Sequence, residues 1–337
     1  MVTGGTGFVG AHTVAALLAA GHEVRMLARD PARVADTVGT LTPAAPDVVR
    51  GDMTDEAAVA AALAGCDAAI HAAAVVSMSR RNAEVALATN VRGTQVVLGT
   101  AERCGIDPIV HVSSVAAVFA PAAASLHPDL PPTTRANNPY TRSKALTEGY
   151  ARERQAAGAP LTIVYPGGVQ GPAAGAAFGQ NADGLVATLK TGAVVLKQGI
   201  WPLIDVRDLA SILVALMQPG RGPRRYMCGG HALTLPEMAG LLGKVTGRRI
   251  PVLPVPGSVF RGLGRAVDAL TRLVPFETVF TGEAMELLTR GVPTDDRPVQ
   301  ADLGITFRDP AETLRAAVHD LFLAGRLSGR QAGLAAN

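Results

Sequence analysis

The chain has 337 residues, of which 48 % are hydrophobic and 18 % are charged, and its formal net charge is only +3. Such a chain can bury a substantial core, which excludes an intrinsically disordered protein, and its scattered Lys and Arg residues argue against a nucleic-acid partner. The three cysteines lack ligand-like spacing, and the longest apolar stretch, 57–76, is broken by Asp67 and His71, so we expect no metal site, no disulfide, no membrane span and a cytoplasmic location.

The first half of the chain alternates short β-type runs with alanine-rich helical runs, the pattern of a parallel sheet covered by helices on both faces. A helical run over 11–20 stops at Gly21, a residue common just after helices. Asp30 and Pro31 are typical of the start of another helix, as an N-cap acid and a first-turn proline. The predicted strands are 24–28, 47–50, 68–72, 109–113 and 161–165. The predicted fold class is α/β, with a doubly wound parallel sheet.

The regular alternation stops beyond Pro166. Residues 167–179 are rich in Gly and Ala, whereas 201–216 again has the pattern of a strand followed by a helix. We therefore predict a sheet domain and a smaller C-terminal lobe that is interleaved with it. The predicted boundaries are 1–165 with 199–231 returning to it for the sheet domain, and 166–198 with 232–325 for the lobe.

A glycine-rich segment precedes the first helical run. Gly5, Gly7 and Gly10 fit the pattern GxGxxG, and Gly4, Gly7 and Gly10 fit the alternative GxxGxxG. Glycines are needed where the backbone turns sharply from a strand into a helix and approaches a pyrophosphate, whose charge then lies at the helix N-terminus. This placement predicts a dinucleotide-binding loop. The loop residues expected to contact the cofactor are Gly4, Gly7, Phe8, Val9 and Gly10.

The end of the second strand bears on the choice between NAD and NADP. An NAD site usually has an acid there that binds the ribose 2′-hydroxyl, but this strand ends at Ala28 and is followed by Arg29. A guanidinium can pair with a 2′-phosphate in bidentate fashion. Asp30 lies where the acid is expected, although its neighbour Pro31 favours a role as helix N-cap. We predict NADP, with NAD possible.

Two further segments indicate cofactor contacts. Asp52 and Met53 follow the third strand, where a carboxylate can accept a hydrogen bond from the adenine amino group; a simple turn aspartate is the alternative. Residues with small side chains follow His71 at the end of the fourth strand and would let the cofactor lie against the sheet edge. His71 itself is expected to have a structural role. These small residues are Ala72, Ala73 and Ala74.

Tyr140 and Lys144 are four residues apart, on one face of a predicted helix. A phenol is a poor proton donor and acceptor at neutral pH, but a neighbouring ammonium favours the phenolate and lowers the pKa of the phenol. Lys144 can also reach the nicotinamide ribose. Ser114, at the end of the fifth strand, can hold a substrate carbonyl where Tyr140 delivers a proton, and Ser113 is the alternative within the pair.

These motifs, with the segment Asn90–Thr94, stand in the order and spacing of the extended short-chain dehydrogenase/reductases, which the chain resembles over roughly residues 1–230. The resemblance implies a Rossmann-type domain with a substrate-binding lobe, catalysis by Ser114, Tyr140 and Lys144, and Asn90 as a fourth catalytic residue that positions the lysine. It also adds Tyr140, Pro166 and Val169 to the residues expected to bind the cofactor.

The chain departs from sugar-nucleotide members of that family at two places. Residues 115–117 offer no acid of the kind that dehydratases carry, and Tyr165 stands where many members have Arg before a proline. The sequence is most similar to the branch of dihydroflavonol reductases and 3β-hydroxysteroid dehydrogenases. This resemblance implies hydride transfer between NADPH and a ketone or aldehyde, or the matching secondary alcohol. The alternatives are an NAD-dependent sugar-nucleotide epimerase and a dinucleotide-sensing protein without catalysis.

The substrate pocket is expected to be lined by segments of both parts of the chain, around 76–84, 119–135, 168–200 and 255–300. Their apolar character favours an apolar carbonyl or alcohol substrate. Residues 259–273 alternate Arg with apolar residues, which predicts an amphipathic helix packed on the lobe, with a membrane-surface helix as the alternative. Family members often dimerise through two helices, which implies a homodimer through 85–104 and 140–155.

Overall fold

A computed structural model describes residues 1–75, 80–134, 139–194, 196, 199–273 and 282–336. Its strands are β1 (Val2–Thr3), β2 (Arg25–Ala28), β3 (Asp47–Arg50), β4 (Ala69–His71), β5 (Ile109–Val112), β6 (Leu161–Pro166), β7 (Gly168–Gln170), β8 (Ile200–Asp205), β9 (Arg224–Cys228) and β10 (His231–Thr234). Its helices are α1 (Phe8–Ala19), α2 (Glu56–Leu63), α3 (Arg80–Arg103), α4 (Pro139–Ala156), α5 (Ala182–Thr191), α6 (Val206–Ala215), α7 (Leu235–Thr246), α8 (Gly257–Leu273), α9 (Gly282–Arg290), α10 (Arg297–Leu303), α11 (Pro310–Leu323) and α12 (Gly329–Ala332).

Seven strands form one parallel sheet in the order β3-β2-β1-β4-β5-β6-β9. The order reverses at β1, where Val2 pairs with Met26 of β2 on one side and with Ile70 of β4 on the other. Helices α2, α3 and α4 bury apolar residues against one face of the sheet, and α1 and α6 against the other. Strands covered on both faces need continuous apolar runs, which explains why the strand positions could be predicted from sequence. The predicted doubly wound α/β fold is confirmed.

A second sheet of three strands, in the order β10-β8-β7, belongs to the C-terminal part of the molecule. It packs with α5, α7 and α11 around a third apolar core. Within the range 199–231, which was predicted to return to the sheet domain, β8 lies in this small sheet, while α6 and β9 join the large one. The two sheets meet where β6 of the large sheet is followed by β7 of the small one. Only Gly167 separates these two strands in the chain.

Two local predictions need correction. The segment after Asp30 is a single 3-10 turn, Pro31–Val34, and not a longer helix. The apolar character of the segments expected to line the pocket was taken to favour an apolar substrate, but much of it serves the core of the lobe. Leu185 lies in that core, and the partly buried residues that pack against it include Phe178, Trp201 and Phe260. Across the described ranges, no helix has the length and apolar content needed to cross a membrane.

Candidate active site

The glycine-rich loop joins β1 to α1 at the point where the strand order reverses. Gly4 has a φ of 77°, and a Cβ there would lie 2.6 Å from the backbone nitrogen of Ala73. A Cβ at Gly10 would lie 2.1 Å from the carbonyl oxygen of Gly4. Both positions therefore require glycine for the chain to pack on itself. Gly7 differs from these two glycines. A Cβ at Gly7 would have the carbonyl oxygen of Gly4 as its nearest neighbour, at 3.3 Å, so the chain packs less tightly around this position.

The N-terminus of α1 is suited to an anion. Its N-cap residue, Gly7, supplies no side-chain hydrogen bond, and the first turn of the helix contains no acidic residue. The first backbone N–H groups of a helix have no partner within it, and the helix dipole is positive at that end. A pyrophosphate fits these requirements, so the loop residues present are compatible with the dinucleotide that the sequence predicts.

Two charged residues follow each other at the end of β2 and have different surroundings: Asp30 caps a turn, and Arg29 is exposed. The Oδ1 atom of Asp30 accepts a hydrogen bond of 3.2 Å from the backbone of Ala32, as expected of an N-cap. The side chain of Arg29 is 69 % exposed, and its Nε lies 4.0 Å from Oδ2 of Asp52. Burial works against ionisation of Asp52, but hydrogen bonds from Thr54 and the charge of Arg29 hold the pKa of its carboxyl below the usual value.

The other predicted cofactor contacts lie along the same edge of the sheet. Met53 is 9 % exposed and its side chain contacts the Cβ position of Gly93 in α3, so that side chain belongs to the core. Ala72 and Ala73 are half-buried and Ala74 is exposed, directly after β4. His71 is buried between the hydroxyls of Thr3 and Thr94.

Asn90 fixes the segment that follows β4. Its Oδ1 accepts a hydrogen bond of 2.7 Å from the backbone N–H of Val75, and its Nδ2 donates to the carbonyl of Val75 at 2.9 Å. The same Nδ2 donates to Oγ of Ser143 at 3.3 Å. Asn90 thus connects α3, the end of β4 and the turn of α4 that carries Lys144.

Tyr140, Ser114 and Lys144 come together at the carboxyl end of β5. The hydroxyl groups of Tyr140 and Ser114 share a hydrogen bond. The Nζ of Lys144 donates to the carbonyl of Val112 at 3.2 Å, and Lys144 is only 9 % exposed. A shared cavity has Asn90 and Tyr140 among its lining residues. The predicted catalytic residues therefore form one group, although residues 76–79 and 135–138, on either side of it in the sequence, lie outside the described ranges.

The two candidate serines have different surroundings. Ser113 is 4 % exposed, and its Oγ donates to Oε2 of Glu148 at 2.9 Å. Ser114 caps the following 3-10 turn, where its Oγ accepts from the backbone of Ala116 at 3.2 Å, and it is the serine bonded to Tyr140. Ser114 is therefore the member of the pair that can face a substrate.

Burial determines the ionisation of the two central groups. It lowers the pKa of Lys144 from 10.5 to about 8, even though the charge of Glu148 opposes this change. Burial also raises the pKa of Tyr140, and the hydrogen bond with Ser114 only partly offsets the effect. The expected lowering of the tyrosine pKa is therefore not the net result in this structure, since loss of hydration of the phenolate prevails.

Glu148 is a buried residue that the sequence reasoning missed. It has no exposure, and its carboxylate accepts hydrogen bonds from Ser113 at 2.9 Å, from the Tyr165 hydroxyl at 2.5 Å and from Nε of Arg152 at 2.7 Å. The signal was available, because Glu148 follows Lys144 by four residues and so lies on the same face of the helix. The Tyr165 that departs from the family pattern is one of its partners.

Pro166 and Val169 lie at the far side of the candidate site. Pro166 ends β6 and pairs with Cys228 of β9, while Val169 lies in β7 and pairs with Ile204 of the small sheet. The predicted cofactor contacts therefore extend from the glycine loop to the junction of the two sheets.

Comparisons with known proteins identify the family to which the chain belongs. Residues 1–229 match the family described as the NAD dependent epimerase/dehydratase family. The chain is 30 % identical over 329 residues to sterol demethylase protein B from Methylococcus capsulatus, covering 95 % of this chain and 96 % of that protein. It is 35 % identical over 181 residues to a 3 beta-hydroxysteroid dehydrogenase/Delta 5-->4-isomerase from Mycobacterium tuberculosis, covering 51 % of this chain and 47 % of that protein.

Solved structures support the same fold. The structure of UDP-glucose-4-epimerase from Stenotrophomonas maltophila, with bound NAD and formylated UDP-arabinopyranose, has a TM-score of 0.74 at 21 % identity, covering 96 % of this chain and 98 % of that one. The family resemblance noted in the sequence is thereby confirmed. The chain belongs to the NAD-dependent epimerase/dehydratase family, the extended short-chain dehydrogenase/reductases, and is an NAD(P)-dependent oxidoreductase of that family.

Proposed function

We propose that this protein is an NADP-dependent oxidoreductase that interconverts an apolar ketone or aldehyde and the matching alcohol. The observation that carries the proposal is the grouping of Ser114, Tyr140 and Lys144 at the carboxyl end of β5, where parallel α/β sheets bind their ligands. The bound nicotinamide would supply or accept the hydride. The protein's own residues would orient the substrate and transfer the proton.

Each side chain has a separate task in the proposed reaction. Ser114 orients the substrate oxygen, and Tyr140 donates a proton to it in reduction or removes one in oxidation. Lys144 holds positive charge beside the tyrosine and binds the cofactor ribose, while Asn90 positions the helix turn that carries the lysine. Burial raises the pKa of Tyr140, and the hydrogen bond with Ser114 partly offsets the rise. We assign to Lys144 the positive charge that would favour the phenolate during proton transfer.

The preference for NADP rests on the different surroundings of two neighbouring residues. The carboxylate of Asp30 already accepts a hydrogen bond from its own turn, whereas Arg29 is largely exposed at the end of β2. An exposed guanidinium can bind a 2′-phosphate. The carboxylate of Asp52 holds the guanidinium of Arg29 near the sheet edge. We assign the pyrophosphate to the first turn of α1, beside Gly7, with the adenine near Asp52 and Met53.

An apolar substrate is supported by the names of two relatives, one a sterol demethylase protein and the other a hydroxysteroid dehydrogenase. Residues 166–198 and 232–325 are proposed to form the substrate lobe. Of the segments expected to line the pocket, residues 76–79, 135, 195, 197–198 and 274–281 lie outside the described ranges.

A homodimer is proposed through α3 and α4. Val85 on α3 is 66 % exposed and Leu146 on α4 is 48 % exposed, so each helix presents a large apolar side chain to solvent. Exposed apolar side chains on neighbouring helices are typical of a protein interface.

The test of the proposed reaction is a panel of ketones, aldehydes and secondary alcohols, including 3-keto and 3β-hydroxy steroids, assayed with both cofactors. We expect turnover of an apolar member with NADPH or NADP. Tightly bound NAD in the purified protein, together with turnover of a nucleotide sugar, would favour an epimerase. Binding of dinucleotide without turnover of any member would favour a sensing protein.

A further inference from the structure

We propose that Arg152 is a positioning residue, which couples the substrate lobe to Ser114 at the end of β5. The inference rests on the proposed function, because this coupling would place the substrate beside the group that orients its oxygen. Arg152 lies on α4, about two turns after Lys144, and its side chain is 20 % exposed. Its guanidinium makes contacts in two directions, one toward the catalytic residues and one toward a loop that is bound to the lobe.

The first contact leads to the candidate active site. The Nε of Arg152 donates to Oε1 of Glu148 at 2.7 Å, and Oε2 of the same carboxylate accepts from Oγ of Ser113 at 2.9 Å. Glu148 has no solvent exposure, so water does not weaken this bridge between a guanidinium and a hydroxyl. Ser114, which shares a hydrogen bond with Tyr140, is the next residue in the chain.

The second contact leads to the loop 119–133, which follows the 3-10 turn after β5. The Nη2 of Arg152 donates to the carbonyl of Pro128 at 2.9 Å. Two residues earlier, the backbone N–H of Leu126 donates to the carbonyl of Pro293 at 2.8 Å, and the carbonyl of Leu126 accepts from the N–H of Asp295 at 2.9 Å. These two partners belong to the lobe, so the middle of the loop joins the lobe to Arg152.

The loop also returns to the turn that Ser114 caps. The backbone N–H of Thr133 donates to the carbonyl of Ala117 at 2.8 Å, and Oγ1 of Thr133 donates to the carbonyl of Ala116 at 3.2 Å. Both ends of the loop are therefore fixed beside Ser114, while Arg152 fixes its middle to α4. A continuous network of hydrogen bonds of this kind can carry coupling between two parts of a protein.

Arg225 offers a comparison that separates this coupling from simple attachment of the loop. Its Nη1 donates to the same carbonyl of Pro128 at 3.0 Å. Its carboxylate partner is Asp129, at 3.3 Å, whose side chain is 76 % exposed. Arg225 therefore holds the loop to β9, whereas Arg152 holds the same carbonyl to the buried Glu148.

The first test is amide hydrogen exchange of the full chain without substrate or cofactor, so its result does not depend on the proposed reaction. Arg152→Gln should raise the exchange rate at least about tenfold both in residues 126–130 and in residues 113–118. The matched control Arg225→Gln should raise it only in residues 126–130. The same pattern in both variants, or unchanged exchange at 113–118 in Arg152→Gln, would overturn the proposal.

The second test is kinetic and uses a substrate that the wild type turns over. Arg152→Gln should lower kcat at least about tenfold, while its affinity for the cofactor and the kcat of Arg225→Gln stay within a factor of about two of the wild type. Because Arg152 acts through Glu148 in this proposal, the double variant Glu148→Gln/Arg152→Gln should lose little more kcat than the more affected single variant. Losses that multiply would show an independent role and overturn the proposal.

Two outcomes leave hydrogen exchange to decide alone. If the wild type turns over no substrate, the proposed function is wrong, and the exchange pattern still tests the coupling. If thermal unfolding shows that Arg152→Gln does not fold, Arg152→Lys takes its place, with Arg225→Lys as its control. Lysine keeps the charge but lacks the planar fork that reaches a carboxylate and a carbonyl together, so exchange at 113–118 should still be faster in Arg152→Lys than in the control. Equal exchange in these two variants would overturn the proposal.

Discussion

Ser113 and Glu148 are joined by a hydrogen bond of 2.9 Å in which the serine hydroxyl donates to a carboxylate with no solvent exposure. The bond links the end of β5 to the middle of α4. Since Ser114 follows Ser113 and Lys144 precedes Glu148 by one helical turn, this contact holds the two sides of the candidate site together.

Replacing Glu148 by glutamine should therefore affect both stability and ionisation. We expect a loss of about 1–3 kcal/mol in the free energy of unfolding, because the charged partner of Arg152 is removed. We also expect the alkaline limb of the pH–activity profile to move to lower pH, because Glu148 raises the pKa of Lys144. Denaturant unfolding and a pH profile of kcat measure the two effects. Glu153→Gln, an exposed change on the same helix, should alter neither.

Tyr140→Phe should reduce kcat by at least about a hundredfold, because the variant loses the group that transfers the proton. Affinity for the cofactor should stay within a factor of about two, a difference well below 1 kcal/mol. Steady-state kinetics and fluorescence titration of NADPH check the two parts. A variant that keeps most of its kcat would remove Tyr140 from the proposed mechanism.

The depressed pKa of Lys144 predicts a pH-dependent stability. The lysine binds its proton with a pKa of about 8 in the folded protein and 10.5 in the unfolded chain, so between these values the unfolded state binds more protons. The folded state then gains stability as the pH rises from about 8 to 10.5, by about 3 kcal/mol in total. Lys144→Met lacks this gain. Unfolding of both proteins at several pH values within this window tests the prediction, and parallel pH curves would contradict it.

The cofactor preference can be tested on Arg29 and Asp30. If Arg29 binds the 2′-phosphate, Arg29→Ala should weaken NADPH by about ten- to a hundredfold while changing NADH little. Asp30→Ala should cost about 1 kcal/mol of stability or less, as loss of an N-cap on a short turn, without a change in preference. Titration of both cofactors is the measurement. A wild type that prefers NADH, with this preference lost in Asp30→Ala, would assign Asp30 to the ribose.

The proposed dimer predicts that Leu146→Asp yields a monomer, because a charge cannot be buried between apolar helices at low cost. Light scattering coupled to gel filtration should show the mass falling to half that of the wild type. Leu323→Asp, at a more exposed position on α11, is the control and should leave the mass unchanged.

The features that could be predicted from the sequence are those whose physical cause is local. The strand at 47–50 was predicted at its observed bounds, because its two adjacent valines form a short β-branched run between turn residues. The glycine loop and the Tyr140–Lys144 spacing each lie within one short segment, so their geometry follows from a tight turn and from the pitch of a helix.

Tertiary structure alone decided the features that depend on residues distant in the chain. Whether Ser113 or Ser114 faces the site depends on the position of Glu148, which comes from another element. The ionisation of Tyr140 and Lys144 depends on burial, which no spacing of residues specifies. The amphipathic pattern of α8 could be predicted from the sequence. Which face of the helix packs on the protein was decided by the approach of α9 to Gly264, and this contact leaves Leu263 and Leu270 exposed.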